Sequence, residues 1–134
     1  NVQETLDYLD NRPGAVLGIA TGNTATGAEV KLRHARLDHR FAVGGYGSDH
    51  SERAKLVATA IDRGQAHAGR SFSTDEVVVI GDTPRDVEAA HACGVRAVAV
   101  CTGPHQRDAL AKSGADFVID TLADLRGALG QLGL

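Results

Sequence analysis

The sequence predicts an α/β fold, a doubly wound, Rossmann-like three-layer sandwich in which helices cover both faces of a mostly parallel sheet. Three observations predict it. Short apolar runs alternate with amphipathic stretches along the chain, as successive βαβ units require. Residues 77–80 (VVVI) and 97–100 (AVAV) are apolar at every position, which suits strands buried on both faces. The chain has 134 residues, 43% of them hydrophobic, enough for one compact domain with a real core, so residues 1–134 read as a single domain. Aromatic residues make up only 4%, with no Trp or Met, so that core is built from Ala, Val, Leu and Ile.

Each element has its own signal. Residues 5–12 read as a helix stopped by Pro13-Gly14, and residues 15–20 (AVLGIA) as a strand ending in the turn-like TGN. A helix over 24–37 would place Ala28, Leu32 and Ala35 on one face. Residues 41–44 form a short strand and 45–50 a glycine-rich loop. Ser51 is a candidate N-cap for a helix reaching Ala68, with Val57, Ala60, Ile61 and Gly64 at helical spacing. A polar loop leads to a strand over 76–80. The next helix runs over 84–93 and ends at Gly94, in the position past the cap where glycine is favoured. A strand over 96–100, a helix over 106–113, a strand over 116–119 and a last helix with Leu122, Leu125, Leu129 and Leu132 complete the pattern.

Charge and composition exclude several classes. Net charge is −3, and no basic run or aromatic–basic alternation marks a nucleic-acid surface. No apolar run approaches the length of a membrane span, and no signal peptide is visible, so a cytoplasmic location without a membrane partner is expected. Cys93 and Cys101 are too few for a disulfide framework or a zinc site and read as small buried thiols. The six histidines show no metal-ligand spacing.

In an open parallel sheet, ligands bind beyond the carboxyl ends of the strands. That rule selects Thr21-Gly22-Asn23 and the GDTPRD stretch over residues 81–86, and admits residues 101–105 (CTGPH) and the glycine-rich loop over 45–50. Thr83 is a good N-cap and Pro84 a favoured first helical residue. Asp86, three residues after Thr83, can close a capping box. Capping does not account for Asp82, which ends an apolar strand where a neutral residue would cost less. Carboxylates grouped at a strand end are hard oxygen ligands suited to Mg²⁺, so Asp82 and Asp86 are the candidate metal ligands, with the cap as the competing account of Asp86. Thr21, Gly22 and Asn23 are either a plain strand–turn–helix connection or a phosphate site, in which a hydroxyl and free N–H groups face the anion and Gly22 lets the backbone approach. Arg53 and Lys55 fall in the first turn of their helix. A cation there gains nothing from the helix dipole, which hints at an anion nearby.

Taken in chain order, a hydroxyl after one strand, a basic residue at a helix start and a strand–GDxxxD segment resemble the haloacid dehalogenase-like (HAD) hydrolase superfamily. More narrowly, the chain resembles its phosphoglycolate phosphatase-type members. The segments that carry the resemblance are LGIATGN, ERAKL, VVVIGDTPRDVEAAHACGV and ADFVIDTLADL, which together cover nearly the whole chain. The resemblance implies Mg²⁺-dependent phosphomonoester hydrolysis of a small phosphorylated metabolite through an aspartyl-phosphate. It implies that Thr21 hydrogen-bonds the transferring phosphoryl group, with the Gly22 and Asn23 backbone beside it. Arg53, with Lys55 as the alternative, would neutralise charge. Asp82 would coordinate Mg²⁺, and Asp86 would support the metal or the basic residue.

The sequence also departs from that pattern. The family's first motif, DxDGT or close variants, supplies the aspartate nucleophile and the general acid, and no D-x-D occurs in these residues. Asp7 and Asp10 are spaced D-x-x-D on a helix and are no substitute. The family's usual Lys-Pro pair is absent as well. The expectation is therefore the C-terminal part of such an enzyme, without its cap domain and without the sheet's central first strand. The strands around Leu17 and Val79 would then pair directly or leave open edges through which the chain forms a homo-oligomer. The alternative function is a non-catalytic Mg²⁺ and phosphate-binding module, or a subunit completing another chain's site. A receiver-like phosphoacceptor needs an acidic pair near its first strand end, which residues 17–20 lack.

Overall fold

In a computed structural model, which describes residues 2–101 and 107–134, every strand pairing is parallel. This is the α/β architecture expected from the alternation of runs. The chain divides into two compact units, Leu6–Ser71 and Phe72–Leu134, the latter together with the described residues before Leu6. No helix among the described residues is long and apolar enough to cross a membrane.

The unit Leu6–Ser71 holds most of α1 (Val2–Asp10), then β1 (Gly18–Thr21), α2 (Ala25–His34), β2 (Val43–Tyr46) and α3 (Arg53–Ala68). β1 and β2 form a two-stranded sheet with Thr21 beside Tyr46 at its carboxyl end. Leu6, Ala28, Leu56 and Val57 are its buried apolar residues. Thr24 caps α2 by accepting the Gly27 N–H at 3.1 Å. On α1, Asp7 and Asp10 both face Arg40, at 2.5 and 3.5 Å, so their D-x-x-D spacing serves an ion pair.

Several boundaries in this unit differ from the sequence expectation: α1 spans Val2–Asp10 rather than 5–12, α2 spans Ala25–His34 rather than 24–37, and three more follow. β1 begins at Gly18 rather than Ala15, because its ladder with β2 begins where Gly18 meets Val43. β2 runs over Val43–Tyr46 rather than 41–44, so Gly45 and Tyr46 are strand residues and not loop. A Cβ on Gly45 would stand 2.0 Å from the Leu56 carbonyl oxygen, so glycine is there to let α3 lie against the strand and not to make a turn. Glu52, not Ser51, occupies the N-cap of α3 and gives no side-chain cap bond; its own N–H is taken by His50 Nδ1 at 3.2 Å.

The second unit holds β3 (Val78–Gly81), α4 (Pro84–Ala92), β4 (Arg96–Val100), α5 (Arg107–Lys112), β5 (Phe117–Ile119) and α6 (Leu125–Gln131). Its sheet has the order β3-β4-β5. β4 is central and buried from Ala97 to Val100 as its sequence predicts. β3 was expected to be equally buried, but it lies at the edge of its sheet, and Ile80 is 39% exposed. The start of that strand is also later than expected. Residues 74–76 make a short 3₁₀ turn, with Glu76 reaching back to the Ser73 hydroxyl at 3.1 Å. Gly94 ends α4 with φ 73°, as read from the sequence. Val87, Ala90, Leu110, Leu125 and Leu129 pack the core. Cys93 and Cys101 are free and half-buried. The candidate loop 101–105, beyond Cys101, and the expected helix start at Gln106 lie outside the described residues.

Candidate functional site

The candidate residues fall into one group in each unit. In the first, Thr21 ends β1 and the chain turns through Gly22 and Asn23 into the Thr24 cap of α2. Thr21 Oγ1 accepts two hydrogen bonds, from the Asn23 backbone N–H at 3.2 Å and from Asn23 Nδ2 at 3.0 Å. Asn23 Oδ1 in turn accepts from Lys31 Nζ at 3.0 Å.

The loop after β2 is stitched to this turn. Gly47 N–H donates to the Asn23 carbonyl at 2.7 Å, and the Ser48 hydroxyl accepts from the Ala25 N–H at 3.1 Å. A Cβ on Gly47 would stand 2.1 Å from the Gly22 carbonyl oxygen, so only glycine allows the two loops this approach. Asp49 closes the loop on itself by accepting the Tyr46 N–H at 2.9 Å. Arg63 holds Asp49 from α3 with a two-pronged contact at 2.8 and 2.9 Å and also donates to the Gly44 carbonyl at 2.6 Å. The Arg63 hydrogen bonds, and then the Tyr46 N–H, hold the Asp49 carboxyl below the usual carboxylate range.

Arg53 and Lys55 occupy the first turn of α3, where the sequence put them, Arg53 half-buried and Lys55 exposed. The close contact of Gly45 with Leu56 brings that turn to β2. Hydroxyl, amide and basic residues thus belong to one unit.

In the second unit, Gly81 ends β3 and the chain passes through Asp82 into α4. The capping box read from the sequence is present: Thr83 is the N-cap, Pro84 opens the helix and Asp86 reaches back. Asp86 Oδ2 accepts from the Asp82 N–H at 3.1 Å, the Thr83 N–H at 3.2 Å and the Thr83 hydroxyl at 3.1 Å. It does so by lying over Gly81, where a Cβ would stand 2.3 Å from that oxygen. The cap therefore accounts for this oxygen of Asp86. The half-buried Asp82 carboxylate, by contrast, has no hydrogen bond or ion pair among the described residues.

Among the described residues, no three His, Cys, Asp or Glu side chains gather in the manner of a complete metal site. Mg²⁺ commonly keeps several waters and takes one or two carboxylates together with phosphate oxygens. One uncommitted carboxylate at a strand end fits that partial donor set.

Ser48, Asp49 and Gly81 lie in stretches the sequence selects or admits, but their roles, and those of Lys31 and Arg63, were not read from it. Lys31 belongs to the Thr21 turn although it stands two turns into α2; its signal was its place on the helix face that carries Thr24 and Ala28. Ser48, the Asp49–Arg63 pair and the role of Gly81 as the seat of a carboxylate have no local signature.

Residues 52–125 match the family model for HAD-hydrolase-like proteins. The chain is 30% identical over 131 residues to a phosphoglycolate phosphatase of Synechococcus elongatus, covering 98% of this chain and 58% of that protein. It is 29% identical over 130 residues to the phosphoglycolate phosphatase of Haemophilus influenzae, covering 93% and 54%. The chain thus spans a little over half the length of these curated relatives. Among solved structures, a haloacid dehalogenase-like family protein from Streptococcus pneumoniae superposes with a TM-score of 0.83 at 18% identity, covering 96% of this chain and 58% of that one. A hydrolase from Pseudomonas syringae superposes with a TM-score of 0.76 at 26% identity, covering 96% and 57%.

Proposed function

This chain belongs to the HAD-hydrolase-like family, and on that premise we propose that it carries the phosphate- and metal-binding residues of a phosphomonoester hydrolase acting on a small phosphorylated metabolite. The observation that carries the reading is the state of Thr21. Two donors occupy the acceptor positions of its hydroxyl oxygen, so the hydroxyl proton is left to donate outward at the end of β1. An outgoing hydroxyl donor at a strand end suits a phosphate oxygen, while the Asn23, Ala25 and Gly27 N–H groups are already taken by Thr21, Ser48 and Thr24 and serve to shape the turn.

In this reading Thr21 orients the phosphoryl group, and the Gly22 and Asn23 backbone lines its approach. Arg53 neutralises its charge, with Lys55 as the alternative. Asp82 is the metal ligand, and Asp86 holds the Asp82 backbone by accepting its N–H while standing as the second candidate ligand. Mg²⁺, when bound, would neutralise phosphate charge, a large part of what phosphoryl-transfer catalysis asks of a protein. Hydrolysis through an aspartyl-phosphate further requires a nucleophilic carboxylate. With no D-x-D in the sequence, the residues of this chain receive binding and orienting roles only. The second reading is a binding module or a subunit that completes another chain's site.

The test is titration calorimetry of the chain with Mg²⁺ in the presence of inorganic phosphate, alongside turnover of a generic phosphomonoester. Asp82→Asn should lower Mg²⁺ affinity at least about tenfold, the loss of a charge-assisted ligand. Wild-type affinity in that variant would remove Asp82 from the site. Turnover lost in Asp82→Asn would mean that a nucleophile lies within this sequence. Binding without turnover would favour the second reading.

A further inference from the structure

We propose that Lys31 is a positioning residue for Thr21, acting through the side chain of Asn23. The proposal rests on the phosphate-site reading above and assigns part of its geometry to a residue outside the loop.

An ammonium group has hydrogens and no lone pair, so the atom that faces Lys31 Nζ at 3.0 Å must be the Asn23 carbonyl oxygen and not its nitrogen. That choice fixes the amide. With the oxygen held by Lys31, the NH₂ group faces Thr21 Oγ1 at 3.0 Å. Turned the other way, the amide would present its oxygen to Thr21 and draw the hydroxyl proton inward, away from any ligand. Lys31 thus decides the direction in which the Thr21 proton points.

Two further observations support a specific role. The neighbouring charges on α2, Glu29 and Arg33, pair with each other at 2.6 Å, while Lys31 has Asn23 as its hydrogen-bond partner. The residue in the middle of the relay is also anchored, since the main-chain carbonyl of Asn23 accepts from Gly47 N–H at 2.7 Å. A chain of hydrogen bonds starting from a full charge also polarises its members, which makes Thr21 a stronger donor.

A double-mutant cycle read by NMR tests this, with inorganic phosphate as the probe and the ¹⁵N-labelled chain as the protein. Lys31→Met should move the Asn23 side-chain NH₂ resonances before any phosphate is added. It should also weaken phosphate binding at Thr21–Asn23 about fivefold, the worth of one ordinary hydrogen bond. Lys31→Arg should restore both. In an Asn23→Ala background, Lys31→Met should cost nothing more. If Lys31→Met still weakens binding in that background, Lys31 acts as a plain surface charge and the relay is overturned. Asn23 NH₂ signals unmoved by Lys31→Met would overturn it as well, whatever phosphate does. Wild-type Thr21–Asn23 resonances unmoved by phosphate would instead overturn the phosphate-site reading, and with it the function proposed for the relay.

Discussion

Replacing Gly81 with alanine puts a methyl carbon where the Asp86 carboxylate lies. The added Cβ would stand 2.3 Å from Oδ2 and 2.4 Å from both Cβ and Cγ of Asp86. Asp86 must therefore leave, and with it go the bonds from the Asp82 N–H, the Thr83 N–H and the Thr83 hydroxyl. Losing a helix cap costs about 1 kcal/mol, and bonds to a charged group about 1.5–3 kcal/mol each. One oxygen serves all three donors and water can replace part of the loss, so the variant should be destabilised by about 2–3 kcal/mol. In a domain of this size that lowers Tm by roughly 8–12 °C. The assay is equilibrium urea unfolding of wild type, Gly81→Ala, Asp86→Ala and the double variant. If the clash with Asp86 is the cause, the alanine at 81 should cost under about 0.5 kcal/mol once Asp86 is gone. An undiminished cost in the Asp86→Ala background would refute the reasoning.

Three more outcomes are expected. Asp116 accepts from Ala97 N–H at 2.8 Å and pairs with His91 Nε2 at 2.9 Å. Desolvation works to raise its pKa, but the His91 and Ala97 hydrogen bonds, with charge from His91 and Arg96, leave it lowered. A lowered folded pKa stabilises fully above the unfolded carboxyl value of about 4 and is lost as pH falls through the folded one. Wild type should therefore lose stability below about pH 4 more steeply than Asp116→Asn, and equal slopes in acid unfolding would contradict this. Arg63→Lys should speed hydrogen exchange at the Tyr46 amide, because a point charge cannot reproduce the fork that holds Asp49; an unchanged rate would argue against the clamp. Open strand edges invite pairing, so the chain is expected to self-associate, and Ile80→Lys should shift sedimentation toward the monomer. An equal distribution for both proteins would exclude the β3 edge as the contact.

What was legible in the sequence was chemistry carried out between near neighbours. Thr83, Pro84 and Asp86 announced their capping box because all of its atoms lie within one turn. β4 matched its expected span because Ala97 to Val100 are all apolar and buried. The α/β class and the family followed from the order of such segments, and Thr21, Gly22, Asn23 and Arg53 stand at the strand end and helix turn where the sequence put them. The errors came from glycines and caps whose reasons lie elsewhere in the chain. Gly45 looked like loop because glycine usually marks one, yet the Leu56 carbonyl selects it. Ser51 looked like a cap, but the helix begins one residue later. β3 looked buried on both faces because its residues are apolar, and composition does not say which strand takes an edge. Lys31 carries no motif of its own, since its partner Asn23 lies eight residues earlier and comes within reach only once α2 has formed.

The two loops at the end of the β1–β2 sheet exchange hydrogen bonds in both directions, Gly47 to Asn23 and Ala25 to Ser48. They are therefore linked thermodynamically as well as geometrically. Any ligand that orders the Thr21 turn should also favour the hydrogen-bonded loop leading into α3, and slow amide exchange at Lys55 and Leu56, whose N–H groups bond the Glu52 carbonyl. The linkage runs backwards with equal strength. Denaturant that frays the first turn of α3 is then expected to weaken the anion binding proposed at Thr21, some thirty residues upstream, by two routes at once, through Arg53 in that turn and through the loop that leads into it.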